Sequence, residues 1–128
     1  MTELTAIAAA AAPTAIGPYV QAVAHDGLLY CSGALPINPA SGRIDAADIA
    51  AEVRQCLTNL EAICTEAGTG LNRAVRTTIY TTQLSSFVDI NAVYADFFPD
   101  RVPARTTIEV AGLPASAQVE IDAIVALR

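Results

Sequence analysis

Two residues near the C-terminal end, Arg105 and Glu120, have the chemistry to bind and activate a small acid. A guanidinium is a planar fork that grips a carboxylate through two parallel hydrogen bonds. A glutamate can hold a water or take its proton. Side by side, they would form a site for a small carboxylate substrate. Arg105 lies in Pro103-Ala104-Arg105-Thr106-Thr107-Ile108-Glu109-Val110 and Glu120 in Val119-Glu120-Ile121, with Gly112-Leu113-Pro114 between. Alternating β-branched and polar residues around such a break read as two strands. Alternate strand residues share a face, so Arg105, Thr107 and Glu109 point one way. Glu120 and Asp122 likewise oppose Val119, Ile121 and Ala123. Neighbouring pairing would place guanidinium and carboxylate on the polar face of one sheet. From spacing alone, the plainer reading is favoured: a cross-strand ion pair on a solvated surface.

These strands need a scaffold, and the rest of the chain supplies one. The Ala-rich residues 1–12 predict a loose N-terminal arm, with a single domain over 13–128. Ile16-Gly17-Pro18-Tyr19 leads into a strand over Val20–Ala24, and Asp26-Gly27 is a hairpin signal before Leu28–Gly33. Asp48 caps a helix running to about Ala67, ended by Gly68 and Gly70. Its apolar residues Ile49, Val53, Cys56, Leu57, Leu60, Ile63, Cys64 and Ala67 recur at three- and four-residue steps, a stripe that needs a sheet to cover. Val75–Thr81 alternates as a strand. Ser86, with Asp89 three residues on, predicts the cap of a shorter helix that Pro99 stops. The order is β-β-α-β-α-β-β, an α+β fold with both helices on one face of a mixed β-sheet. The opposite face is then expected to carry Arg105, Thr107, Glu120 and Asp122 among Thr, Tyr and small side chains. Such a face suits subunit contact with pockets at the seams.

Composition narrows the chemistry. Hydrophobic residues are 53% and charged residues 16% of 128, an apolar balance that points to a homo-oligomer. The formal charge of −6, with no basic run, argues against nucleic-acid binding. Cys31, Cys56 and Cys64 contain no C-x-x-C pair, which disfavours a disulfide framework or a zinc site. No stretch is long enough to span a membrane. Glu3 stands where a signal peptide needs positive charge, so the reading is cytoplasmic. Gly68-Thr69-Gly70 is a helix C-cap and not a nucleotide loop. His25, the single histidine, sits beside a turn and reads as a solvent-exposed loop residue, which disfavours the Ser-His-Asp and Cys-His chemistry that would have to rely on it. The chemistry left is one that needs no metal, no cofactor and no strong nucleophile.

The same residues form a recognisable pattern. Pro103 to Pro114 with Val119-Glu120-Ile121, Ala15-Ile16-Gly17-Pro18-Tyr19, Ser32-Gly33 with Pro36-Ile37-Asn38-Pro39 and Gly42, and Asn91 to Phe98 together resemble the reactive intermediate deaminase (RidA, YjgF-like) family. The resemblance implies a chorismate-mutase-like (bacillus type) fold and a homotrimer with sites at the clefts between subunits. It also implies hydrolysis of 2-imino acids, formed from enamines released by pyridoxal-phosphate enzymes, to 2-oxo acids and ammonia. By analogy Arg105 binds the substrate carboxylate with the backbone N–H of Thr107, while Glu120 and the Gly33 carbonyl hold the attacking water. Tyr19 and Ser32 line the pocket, and Phe87 and Asn91 contribute at the seam. Many relatives have Cys at the position of Thr107 and Ser at that of Thr106; a role confined to the Thr107 N–H tolerates the change. Two alternatives are a 2-aminomuconate-type deaminase and a non-catalytic trimer that binds 2-oxo acids.

Overall fold

Asp26 and Gly27 both adopt positive φ, 54° and 84°, and so close a two-residue turn whose twist matches the strands it joins. The strands are β2 (Ala22–His25) and β3 (Leu28–Ala34), paired from Ala22↔Cys31 to His25↔Leu28. The chain is described here by a computed structural model covering residues 3–128. Helix α1 (Ile49–Glu66) follows, with the Asp48 carboxylate accepting from the Ala51 N–H. Gly68, at φ 84°, lets the chain leave the helix. Next come β4 (Ala74–Thr81), α2 (Phe87–Asp96), β5 (Ala104–Glu109) and β6 (Val119–Ala126). The predicted capping bond at Ser86 is not made; a short 3₁₀ turn over Leu84–Ser86 leads into α2 instead.

The expected order is present with one strand added in front. Thr5–Ile7 forms β1, antiparallel to β2, in the stretch expected to be loose. Small side chains let this segment lie close, and Ala9 and Ala12 are buried in the main core. The Gln21 side chain fastens it through Ala9 N, Ala9 O and Pro13 O. Met1 and Thr2 of the expected arm lie outside the described residues.

The six strands are ordered β1-β2-β3-β6-β4-β5. Only β4 and β5 are parallel, as befits strands joined through a helical crossover. α1 packs on β3 and β6 and against α2. Leu29, Ile79, Ile121 and Val125, all fully buried, form the sheet's contribution beneath the helices. Tyr30, Tyr80, Asp122 and Ile124 alternate with them on the open face. Among the described residues no helix is long and apolar enough to cross a membrane.

The register corrects one expectation. β5 pairs with β4 as Thr77↔Arg105 and Ile79↔Thr107, and Thr77 and Ile79 lie under the helices with 0% exposure. Paired residues share a face, so Arg105 and Thr107 project on the helix side. Glu120, paired with Tyr80, and Asp122, paired with Thr78, project on the open side. One chain therefore separates the residues that sequence spacing had grouped.

Candidate active site

Arg105 lies on the outermost strand, beneath α2. Its Nη2 donates to Asn91 Oδ1 at 2.8 Å. Its guanidinium carbon stands 4.8 Å from the Tyr94 ring centre and 5.6 Å from that of Phe87. Cation–aromatic contact of this kind orients the charge without neutralising it. Tyr94 is held by a 2.6 Å hydrogen bond with Thr77 Oγ1, and Thr77 is the register partner of Arg105. Burial pushes the Tyr94 hydroxyl up in pKa, against the Thr77 bond and the Arg105 charge. The ion pairs among the described residues are Arg43–Asp45 and Arg54–Asp96. Arg105 is thus half-buried with no carboxylate of its own, and the planar fork retains free donors for an anion.

The strand edge adds a second donor. The Val110 N–H bonds Thr81 O at 2.9 Å, so even-numbered β5 residues turn their peptide groups toward β4. Odd-numbered residues, Arg105 and Thr107 among them, turn theirs to the edge of the sheet, where β5 has no further neighbour. The Thr107 hydroxyl is buried without a hydrogen-bond partner.

A second group of candidate residues lies at a cleft of about 200 Å³ on the open side, lined by Tyr19, Ser32, Gly33, Leu35 and Glu120, among others. Glu120 reaches across from β6 to β3 and rests on Gly33. A Cβ built on residue 33 would overlap its Oε2, so any side chain there would displace the carboxylate from this position. Burial first, and the neighbouring charge of Asp122 second, raise the Glu120 pKa. Ser32 Oγ donates to Val20 O at 2.6 Å, and the Ile16 N–H donates to the Tyr19 hydroxyl at 3.2 Å. These bonds close the Ile16–Val20 loop over β3.

The eight residues singled out from sequence therefore fall into two groups. Arg105 and Thr107 of β5 and Asn91 and Phe87 of α2 gather at one edge of the sheet, and Tyr19, Ser32, Gly33 and Glu120 gather at the cleft on β3 and β6. Between the groups stand β4 and a change of sheet face.

Several supporting residues escaped the sequence reading. Asn59, 1% exposed, donates from Nδ2 to Leu35 O and Ile37 O at 3.0 and 2.9 Å and so holds the cleft's far wall. Glu52, 4% exposed, accepts from the Gln118 N–H and from its side-chain amide, which fixes the chain just before Glu120. Tyr94, on α2 with Asn91 and Phe87, is the platform under Arg105. Asn59 and Glu52 carried a usable signal: each interrupts the apolar stripe of α1 with a polar side chain, and a buried polar group must have partners.

Comparison with known proteins agrees with this fold. The family model described as endoribonuclease L-PSP matches residues 9–127. The RutC family protein y4sK of Sinorhizobium fredii is 48% identical over 116 residues, 91% of this chain and 92% of that one. The 2-iminobutanoate/2-iminopropanoate deaminase of Escherichia coli K12 is 42% identical over 125 residues, 95% of this chain and 97% of that one. The crystal structure of Escherichia coli TdcF with bound serine superposes with a TM-score of 0.91 at 37% identity, over 95% of this chain and 98% of that one. With a matching motif set, a matching fold and relatives spanning nearly its whole length, the chain belongs to the YjgF/Rid family, the family described as endoribonuclease L-PSP.

Proposed function

We propose that the protein is a hydrolytic deaminase of reactive 2-imino acids, releasing 2-oxo acids and ammonia. The observation that carries this reading is the half-buried Arg105 fork, oriented by Asn91, Tyr94 and Phe87 yet without a carboxylate partner. An oriented, unneutralised guanidinium is an anion site. The kinship to an iminobutanoate deaminase and to a protein crystallised with serine supports a small amino-acid-like ligand.

In this reading Arg105 and the edge-facing Thr107 N–H hold the substrate carboxylate. Glu120 and the Gly33 carbonyl hold a water against the imine carbon, and Tyr19 and Ser32 form the wall. An imine carbon is already electrophilic, so positioning supplies most of the effect. Glu120 takes a proton as water adds to the protonated imine, returns it to the nitrogen of the carbinolamine, and takes up the hydroxyl proton as C=O forms and ammonia leaves.

The two halves face opposite ways in one chain, so the site is completed by a second copy: the β5 edge of one docks over the cleft of the next. Such a contact joins different surfaces and closes into a ring; we assign it as a homotrimer with three sites. Exposed Ile108, Val88 and Tyr30 are then covered. The family description names an endoribonuclease, but a charge of −6 without a basic run is a poor match for RNA. The direct test is ammonia and 2-oxo acid release from 2-iminopropanoate and 2-iminobutanoate generated in situ. Saturable binding of 2-oxo acids with no acceleration of imine loss would instead identify a binding protein, and faster turnover of muconate-derived imines the other deaminase class.

A further inference from the structure

Asp122 stands two residues beyond Glu120 on the same open face of β6. Both of its oxygens are engaged: the Thr78 N–H donates to Oδ1 and the Tyr80 hydroxyl to Oδ2, each at 3.1 Å. Thr78 is its cross-strand partner, and Tyr80 is that of Glu120. No cation joins the group among the described residues; Arg76, on the same strand as Tyr80, gives its Nη2 to Thr106. A carboxylate tied at both oxygens and left without a cation is a fixed negative charge. The side chain it bears on is the next one along the strand face.

The proposed reaction asks two things of Glu120, to accept a proton from water and then to donate one to nitrogen. A carboxylate of ordinary acidity is a weak base toward water, and burial and like charge strengthen it. Resting on the deaminase reading, we infer that Asp122, tethered by Thr78 and Tyr80, is a positioning residue whose fixed charge strengthens Glu120 as the base that takes the proton from the attacking water.

The other groups around Glu120 are few. Tyr80 faces it from β4 and Tyr19 from the cleft loop, while Gly33 and Ser32 of β3 bring no charge. Glu52 and Cys56 of α1 lie behind the sheet. In the assembled ring Arg105 of a second copy faces the cleft with its charge met by the substrate carboxylate. Burial and Asp122 both push Glu120 in the same upward direction.

The experiment compares the assembled wild type with Asp122→Asn, which keeps the side-chain shape and removes the charge, and with Tyr80→Phe, which releases one tether. Carbon-13 titration of the glutamate carboxyls, with Glu120 assigned through Glu120→Gln, follows the group whether or not turnover occurs. The pH profile of kcat/KM on 2-iminopropanoate follows it in turnover. The expected result is a shift of both the Glu120 titration and the acid limb to lower pH in Asp122→Asn, and a smaller shift the same way in Tyr80→Phe. A Glu120 titration unmoved in Asp122→Asn overturns the inference, even if the rate falls. Should that variant not fold, an unmoved titration in Tyr80→Phe overturns it equally. A wild type inert toward imines removes the deaminase reading and is distinguishable, because the carboxyl titration still reports whether Asp122 governs Glu120.

Discussion

A guanidinium stacked on two aromatic rings and bonded to one amide is oriented at the cost of part of its hydration. Arg105→Ala is expected to lower kcat/KM on 2-iminopropanoate at least roughly tenfold, the loss of about 1.5–3 kcal/mol attached to a charged hydrogen bond. Arg105→Lys keeps the charge but not the fork, so a coupled assay should find it between wild type and Ala. Turnover unchanged in Arg105→Ala would sink the assignment. At Gly33 the issue is space. A methyl group there overlaps Glu120 Oε2 and must displace the carboxylate, so Gly33→Ala should lose kcat while circular dichroism stays that of the wild type. Retained kcat would mean that the place of Glu120 over β3 does not matter to the chemistry.

Among the elements, α1 does more than cover the sheet. Asn59 reaches out of its apolar stripe to two peptide carbonyls of the loop that walls the cleft. Asn59→Ala would leave both buried carbonyls without a donor, a cost of about 1–3 kcal/mol for each. Thermal unfolding should therefore show a midpoint lower by several degrees; an unchanged midpoint would mean that water replaces the amide. The same helix buries Cys56 and Cys64 in the core cluster that also holds Cys31 of β3, and Cys64 lies against Cys31. Burial raises the Cys56 pKa, and the bond to the Cys31 side chain, then burial, raises that of Cys64. Thiolate is the reactive form, so a thiol reagent should label no cysteine of the folded protein at neutral pH and all of them in denaturant. Labelling of the native chain would reveal an opening of α1 from the sheet.

For the whole molecule, the placement of Arg105 and Glu120 on opposite sheet faces makes a sharp prediction. If each site takes its arginine from one copy and its glutamate from the next, two inactive variants can rescue one another. Unfolding Arg105→Ala and Glu120→Gln together and refolding them as mixed oligomers should restore about a quarter of the wild-type sites, the share in which both donors are intact under random heterologous assembly. No restoration would place the site within one chain. Light scattering of the unmixed protein should give three times the mass of the 13.3 kDa chain; a monomer would leave Arg105 and Glu120 unable to act together.

Local chemistry in the sequence was enough for much of this. Asp26-Gly27 determined a hairpin, Asp48 and Gly68 bounded a helix, and the three- and four-residue steps from Ile49 to Cys64 named its buried side, because turns, caps and periodicity depend on residues close along the chain. The candidate residues themselves could be named from their types and motifs. Alternation also showed that Arg105 keeps company with Thr107, and Glu120 with Asp122. It could not show which face either pair occupies. That depends on β5 lying parallel to β4 with Arg105 beside Thr77, and a shift of one residue would send every side chain of the strand to the other face. Nor could it show that the Ala-rich start is drawn in by Gln21, a contact made only once β2 is in place. Pairing and register are long-range choices made by the packed sheet, and they alone divided the candidate residues into two groups.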